Sequence, residues 1–420
     1  MRAAESPQGW IPARRRTDCE TIYLVAPSGN PNYGDEFILR AWLRYLARVR
    51  PDAEVVVDCH TPGQSALLLR HCHPHLTFVD TIWRICFHVA DLPPVEAAGL
   101  ARDIVGDPGR MPKIATGIDL LARANTIHLV GGGYVNAVWS HHMALLAAAA
   151  SAAEQSGGRA FATGQGLVPV GEHDRLSLLR ELQAQFDLFD VRDGPSFEAI
   201  TGSGGHESFT CDDAWLGIDD GGVYDTTSEA ARRAVVFCLQ SDLMEDFAEG
   251  EGTEGLARAM IHLIAQWKLT GGEVAVVEGI PGADRIVFDR VADQLRGAIF
   301  VPFTTVWNDG LPARSGQVWV STRFHPHLLA AAVGASGLAL AGRSDYYPTK
   351  HQSLIDAGSH WQMASSSNLP AAPVRDGGFS PETVLFLKRR KSAQANRLYP
   401  PAHSTVRRAA DALRLFGRHG

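Results

Sequence analysis

Short runs of β-branched, aromatic and small apolar residues recur along the chain, and between them apolar positions return every three or four residues. The runs are TIYLV (21–25), EVVV (54–57), TIHLV (126–130), RAFAT (159–163) and LFDV (188–191), followed by AVVFCL (234–239), EVAVVEG (273–279), QVWVS (317–321) and LALA (338–341). Runs of this length and composition read as strands. The segments between them read as helices; after Asp35, for example, Ile38, Leu39, Trp42, Leu43, Leu46 and Val49 share one face. Strands alternating with helices predict βαβ units and parallel sheets. The runs fall into two series separated by GIDDGGVYDTTSEAARR, which predicts an α/β protein with two doubly wound domains, 21–225 and 226–375. A tail, 1–20, precedes them and a basic helical tail, 376–420, follows. In that last segment Val406, Ala409, Ala410, Leu413 and Phe416 share a face, which either packs on the body or meets an anionic membrane surface.

Composition narrows the class. A chain of 420 residues exceeds one ordinary core, so two domains are expected. The formal net charge of −7 argues against a general nucleic-acid binder. Six cysteines are scattered without a CxxC pair, as reduced thiols would be, and the expected location is the cytoplasm. No run reaches the roughly 18 apolar residues needed to cross a bilayer, and the first residues lack the apolar stretch of a secretion signal.

Candidate chemistry gathers at predicted strand ends, where open α/β sheets bind ligands. Asn32, Gly34 and Asp35 lie between the first strand and its helix, with Asp35 at the helix start. Gly131, Gly132 and Gly133 follow TIHLV directly and either leave amide N–H groups for an anion or form a tight structural turn; their spacing fits neither a dinucleotide fingerprint nor a Walker loop. Gln165 in TGQG either donates to a ligand or closes the turn. Arg192 and Asp193 precede a helix start, as an anion fork or as a surface pair. In STRFHPHLLAAAVGA the residue before Pro326 is biased toward extended backbone, so Arg323 and His325 are expected on one side of an extended segment, before a helix whose first amides favour anions. Tyr347 and Lys350 come from the same end of the sheet. HCHPHL (71–76) lacks a second ligand cluster, so no metal is expected.

Taken in order, NPNYGDEFIL, VGGGYV, TGQGLVPV, DVRDGPSFEAI, CDDAWL and STRFHPHLLAAAVGASGLALA resemble the polysaccharide pyruvyl transferase family over roughly residues 21 to 355. The resemblance implies Rossmann-like domains facing a cleft, as in B-type glycosyltransferases, with the acceptor on the first domain and the donor on the second. It implies transfer of a pyruvyl group from phosphoenolpyruvate to hydroxyls of a sugar, in a glycan or lipid-linked precursor of the cell envelope, forming a ketal and releasing phosphate. No cofactor is implied. Arg192 and Arg323 would hold the donor, His325 and Asp35 would move protons, and Asn32 and Gly34 would line the acceptor side. Phe324 stands where the family has leucine, and Asn136-Ala137-Val138 replaces its frequent Gln-Asp. A nucleotide-sugar glycosyltransferase or a non-catalytic binding protein of the same fold are the alternatives; the first needs a diphosphate loop, for which GIPGADR (279–285) is a poor match. Peripheral contact with the inner face of the membrane through the basic tail is a further expectation.

Overall fold

A computed structural model describes residues 19–401 except 203, 245 and 343–346, and of the side chains in that range all but those of Tyr347 and Pro348. The amphipathic face expected at 406–416 and the outer parts of both tails lie outside the described residues.

Two all-parallel sheets organise the chain. The first contains β1 (Thr21–Val25), β2 (Glu54–Asp58), β3 (Leu76–Val79), β4 (Thr126–Leu129), β5 (Arg159–Gln165), β6 (Leu188–Val191) and β7 (Glu207–Phe209). Their order is β3-β2-β1-β4-β5-β6-β7. The second contains β8 (Val235–Cys238), β9 (Val274–Val277), β10 (Ile299–Val301), β11 (Val318–Ser321), β12 (Ser336–Leu340) and β13 (Gln362–Ala364), in the order β10-β9-β8-β11-β12-β13. Each is a doubly wound, Rossmann-like sheet whose order reverses once, between β1 and β4 and between β8 and β11. Crossovers on both faces bury the central strands on both sides, which is why those strands are continuous apolar runs. All nine runs read from the sequence are strands here. The four that were missed, β3, β7, β10 and β13, are the four sheet edges: short, only partly buried and mixed in composition.

At the two reversals the carboxyl ends of the strands face each other across the contact between the sheets. One apolar cluster runs through that contact, joining Ile22, Trp42 and Tyr45 to Trp307, Trp319 and Trp361. Backbone crosses it too, with the Tyr33 amide donating to the Gly279 carbonyl at 2.9 Å. The helix Pro381–Leu398 returns to the first sheet, where Lys391 is fully buried and donates to Asp213 at 2.8 Å and Asp190 at 3.1 Å. Among the described residues no helix is long and apolar enough to cross a membrane.

Candidate active site

The first wall is the β1 loop and the helix it opens. Glu36 fixes the loop from inside, accepting from the Ser28 hydroxyl at 2.6 Å and the Gly29 amide at 2.8 Å. Asn32 caps the helix Tyr33–Val49, its side-chain oxygen accepting from the Gly34 amide at 3.2 Å. That contact commits the oxygen to the fold, so Asn32 borders the cleft as a cap. Gly34 touches the second lobe: a Cβ there would come within 1.8 Å of the His325 ring. Asp35 follows, its Oδ1 3.7 Å from where a Cβ on Gly132 would stand. Burial lifts its carboxyl above the usual range, against the opposing pull of His325, Lys350 and Arg192.

The glycine-rich strand ends admit acidic and basic side chains rather than presenting free amides. The Gly131 amide donates to Asp213 at 2.9 Å and the Gly132 amide to the Gly164 carbonyl at 3.3 Å. Of the two readings, the anion cradle is corrected at these two positions in favour of the structural turn, because their N–H groups are already paired. The Gly133 carbonyl accepts from Asn136 at 2.7 Å, and Asn136 in turn accepts from the Val138 amide at 2.9 Å, so the residue that departs from the family pattern pins the loop. Gln165 is likewise corrected as a ligand donor. It is fully buried, and its amide donates to the carbonyls of Val130 at 2.9 Å and Thr163 at 3.0 Å, closing the strand end.

Arg192 leaves β6 through the gap left by Gly166, where a Cβ would meet its guanidinium at 2.7 Å. It is buried, not part of a surface pair. Its Nη1 donates to Asp212 at 3.0 Å, and its guanidinium lies 4.4 Å above the Phe324 ring from the second lobe. Asp193 caps the next helix by accepting from the Ser196 amide at 2.8 Å.

From the second lobe come Arg323, Phe324, His325 and Lys350. His325 lies in the first turn of the helix Phe324–Ala332 and not in an extended stretch before it. The proline bias loses because a first-turn proline lacks only an N–H that would have no partner, while the following Leu328 and Leu329 are fully buried as helix. Arg323 and His325 consequently diverge. Arg323 turns into its own lobe, with Nη2 donating to Asp242 at 2.8 Å and Nε to Asp284 at 3.2 Å. His325 reaches across the cleft, its Nε2 3.4 Å from Asp212 Oδ1. His327 is structural: it stacks on Trp361 with centroids 4.1 Å apart and bonds to His351 and Ser359. Burial, then Arg192 and Arg323, push the Lys350 ammonium well below lysine's usual range, against Asp35 and Asp193. The Tyr347 side chain lies outside the described residues.

Asp212 is the residue of this cluster that sequence reasoning left out. It sits under Arg192 from the first lobe and His325 from the second, and caps its own turn through the Ala214 amide at 2.8 Å. Burial raises its carboxyl, but His325, Arg192 and that amide together hold it well below the usual carboxylate range. The available signal was CDDAWL itself, two adjacent acids before an apolar pair; the strand that precedes it, β7, was missed. A crevice of about 270 Å³ opens between Pro195 of one lobe and Thr349, Gln352, Ser353, Asp356 and Met363 of the other. The whole arrangement can bind an anion between lobes and pass a proton at His325 or Asp35.

Comparison with known proteins bears on the family and the fold. The model of the family described as polysaccharide pyruvyl transferase matches residues 32–248. No curated protein sequence matches the chain. Among solved structures, a UDP-N-acetylglucosamine 2-epimerase from Listeria monocytogenes superposes with a TM-score of 0.52 at 13% identity, over 92% of this chain and 93% of that one. A UDP-GlcNAc 2-epimerase from Neisseria meningitidis, bound to UDP-GlcNAc, gives 0.48 at 10% identity over 91% and 92%. At such identities the likeness concerns the fold alone: facing Rossmann-like lobes, as in B-type glycosyltransferases.

Proposed function

Because the chain belongs to the polysaccharide pyruvyl transferase family, we propose that it moves the pyruvyl group of phosphoenolpyruvate onto two hydroxyls of a sugar, in a glycan or lipid-linked precursor, as a ketal. One observation carries this reading: Asp212 joins Arg192 of the first lobe to His325 of the second, with Asp35 and Lys350 close enough to be perturbed by the same charges.

Phosphoenolpyruvate carries a phosphate and a carboxylate, and a closed site needs fixed cations for both. Arg192 supplies one, and Lys350, whose charged form burial and the neighbouring guanidiniums disfavour, gains its charge from the incoming anion. Arg323 adds a third by exchanging Asp242, whose side chain is 42% exposed, for the donor, while buried Asp284 keeps the guanidinium in place. In the first step an acceptor oxygen forms a bond to C2 of the enol. Its proton passes to Asp35, whose raised pKa suits a base in a desolvated wall. The C2=C3 electron pair takes a proton from His325, making the methyl group. The C2–O bond to phosphate then breaks, a second hydroxyl adds at C2, and its proton leaves with the phosphate. Asp212 Oδ1, 3.4 Å from His325 Nε2, is the group that would orient the ring for this transfer.

The nucleotide-sugar alternative gains no support from the loop 279–285. The Gly279 and Ile280 amides donate to Asp284 at 2.8 and 3.1 Å, and the Gly282 amide to Glu278 at 2.7 Å. Carboxylates occupy the amides that would hold a diphosphate.

The test is turnover with phosphoenolpyruvate and a panel of glycans and lipid-linked sugars. The expected result is phosphate release that depends on acceptor, with one deuterium in the ketal methyl when the solvent is deuterated water. Release of a nucleoside diphosphate from a sugar nucleotide, with no phosphate from phosphoenolpyruvate, would overturn it.

A further inference from the structure

Apart from the cluster around Asp212, the fold assembles a second group of chemically active side chains. Cys86 comes from the helix Thr81–His88, and His141 and His142 end the 3₁₀ segment Ala137–His142. One ligand atom from each, the Cys86 Sγ and a ring nitrogen of each histidine, lies within 4.8 Å of the other two, the only such group among the described residues. HCHPHL, which the sequence made conspicuous, forms no such group there; His73 instead contacts the Arg50 carbonyl and the His75 amide.

Four further features fit a coordination site. His142 Nδ1 lies 2.7 Å from the Tyr134 carbonyl, an acceptor only, so the proton is on Nδ1 and the lone pair on Nε2. A backbone carbonyl holding the far nitrogen is the usual support for a metal-binding imidazole. His60 is near enough for its charge to oppose those of His141 and His142, and its buried Nε2 has no hydrogen-bond partner. The surroundings are aromatic: Trp83 lies 3.9 Å from the His60 ring and 5.2 Å from that of His142, and Phe87 lies 6.1 Å from His141. Partly exposed His141 gives a way in from solvent.

We infer that Cys86, His141 and His142 form a binding site for a borderline-soft divalent cation of the zinc class, with His60 or water as the fourth ligand. One thiolate with two imidazoles selects such an ion over calcium or magnesium, which take oxygen ligands. Tetrahedral zinc with bonds of about 2.0–2.3 Å holds its ligand atoms about 3.4–3.6 Å apart, so closure needs side-chain rotations of about an ångström. Binding replaces the Cys86 thiol proton, which leaves to solvent. The ion would tie the helix Thr81–His88 to the segment carrying Tyr134, whose ring packs on Gly132 beside Asp35. The role is to brace the acceptor wall, and it does not depend on the identity of the acceptor.

The test uses the full chain without an affinity tag, stripped with chelator, equilibrated with zinc and freed of excess by gel filtration. Metal analysis is expected to give close to one zinc per chain, falling at least tenfold in Cys86→Ser and in His141→Ala. His71→Ala/His75→Ala is expected to keep it. Cobalt bound to the unmodified chain is expected to show a thiolate-to-metal charge-transfer band, a readout that needs no variant to fold. Zinc retained undiminished by Cys86→Ser and His141→Ala, zinc lost only from His71→Ala/His75→Ala, or no thiolate band with cobalt would each overturn the inference.

Discussion

Asp212 and Asp213 are neighbours in the chain, both buried, and they do opposite work. Asp213 points into the first lobe and is fully engaged by fixed donors: Trp42 at 2.7 Å, the Gly131 amide at 2.9 Å, Thr163 at 2.5 Å and Lys391 at 2.8 Å. Asp212 points into the cleft, where its side-chain partners, Arg192 and His325, belong to different lobes and carry the chemistry proposed above. The first network ties a returning helix to the sheet; the second ties the Arg192 guanidinium to the His325 imidazole across the lobes. A buried charge whose donors are all on one body stabilises that body, whereas one shared between bodies positions what they hold.

The sharpest way to break this distinction is to remove the cation from the first network. Lys391→Met leaves Asp190 and Asp213 facing each other in the core, and is expected to cost about 3–5 kcal/mol in denaturant unfolding. A loss below about 1 kcal/mol would mean that the network is not structural. Next is Asp212→Asn, which keeps the shape but not the charge. It is expected to lower kcat/KM about 10²–10³-fold in the phosphate-release assay, with the unfolding midpoint far less affected than in Lys391→Met.

His128 tests the first network by pH. The Thr163 hydroxyl gives its proton to Asp213, so His128 Nε2 donates to Thr163 at 2.8 Å and Nδ1 accepts from Tyr399 at 3.0 Å. Burial lowers this imidazole to about 4, so the folded protein resists a proton that the unfolded chain takes up below about 6.5. Its contribution to stability is present above that value and is lost as pH falls toward about 4, about 3 kcal/mol in all. Burial holds Glu36 and Asp58 near 7, and they act in the opposite sense. The measurement is therefore the difference between the parent and His128→Gln across this range, expected to shrink on acidification. The smallest effect is Asn32→Ala: about 1 kcal/mol of stability through the lost cap, with the acceptor KM unchanged. A raised KM without loss of stability would make Asn32 a ligand instead.

What could be read in advance follows a physical line. Central strands such as β1, β4, β8 and β11 are buried on both faces by their own crossovers, so their residues must be apolar wherever the lobes sit. Edge strands carry no such obligation, and all four escaped notice. The glycines were conspicuous, but only packing shows what each one admits: His325 at Gly34, Arg192 at Gly166, Asp213 at Gly131 and Gly164. Gln165 looked like a ligand donor because its position was right; its amide had nearer carbonyls to satisfy. His325 and Arg192 were legible because each stands at a junction of strand and helix, His325 in the first helical turn and Arg192 just before its helix.

The sequence by itself determined the alternation of strand and helix, the two sheets, and the strand ends that would carry polar groups, since burial within each βαβ unit dictates those residues locally. Tertiary structure alone decided which of two adjacent aspartates faces the cleft, that Lys391 returns from nearly the far end of the chain to neutralise the other, and that Arg323 turns away from His325. Each of these is a contact between charges brought together by packing of distant segments, and periodicity along one segment holds no information about what another will place beside it.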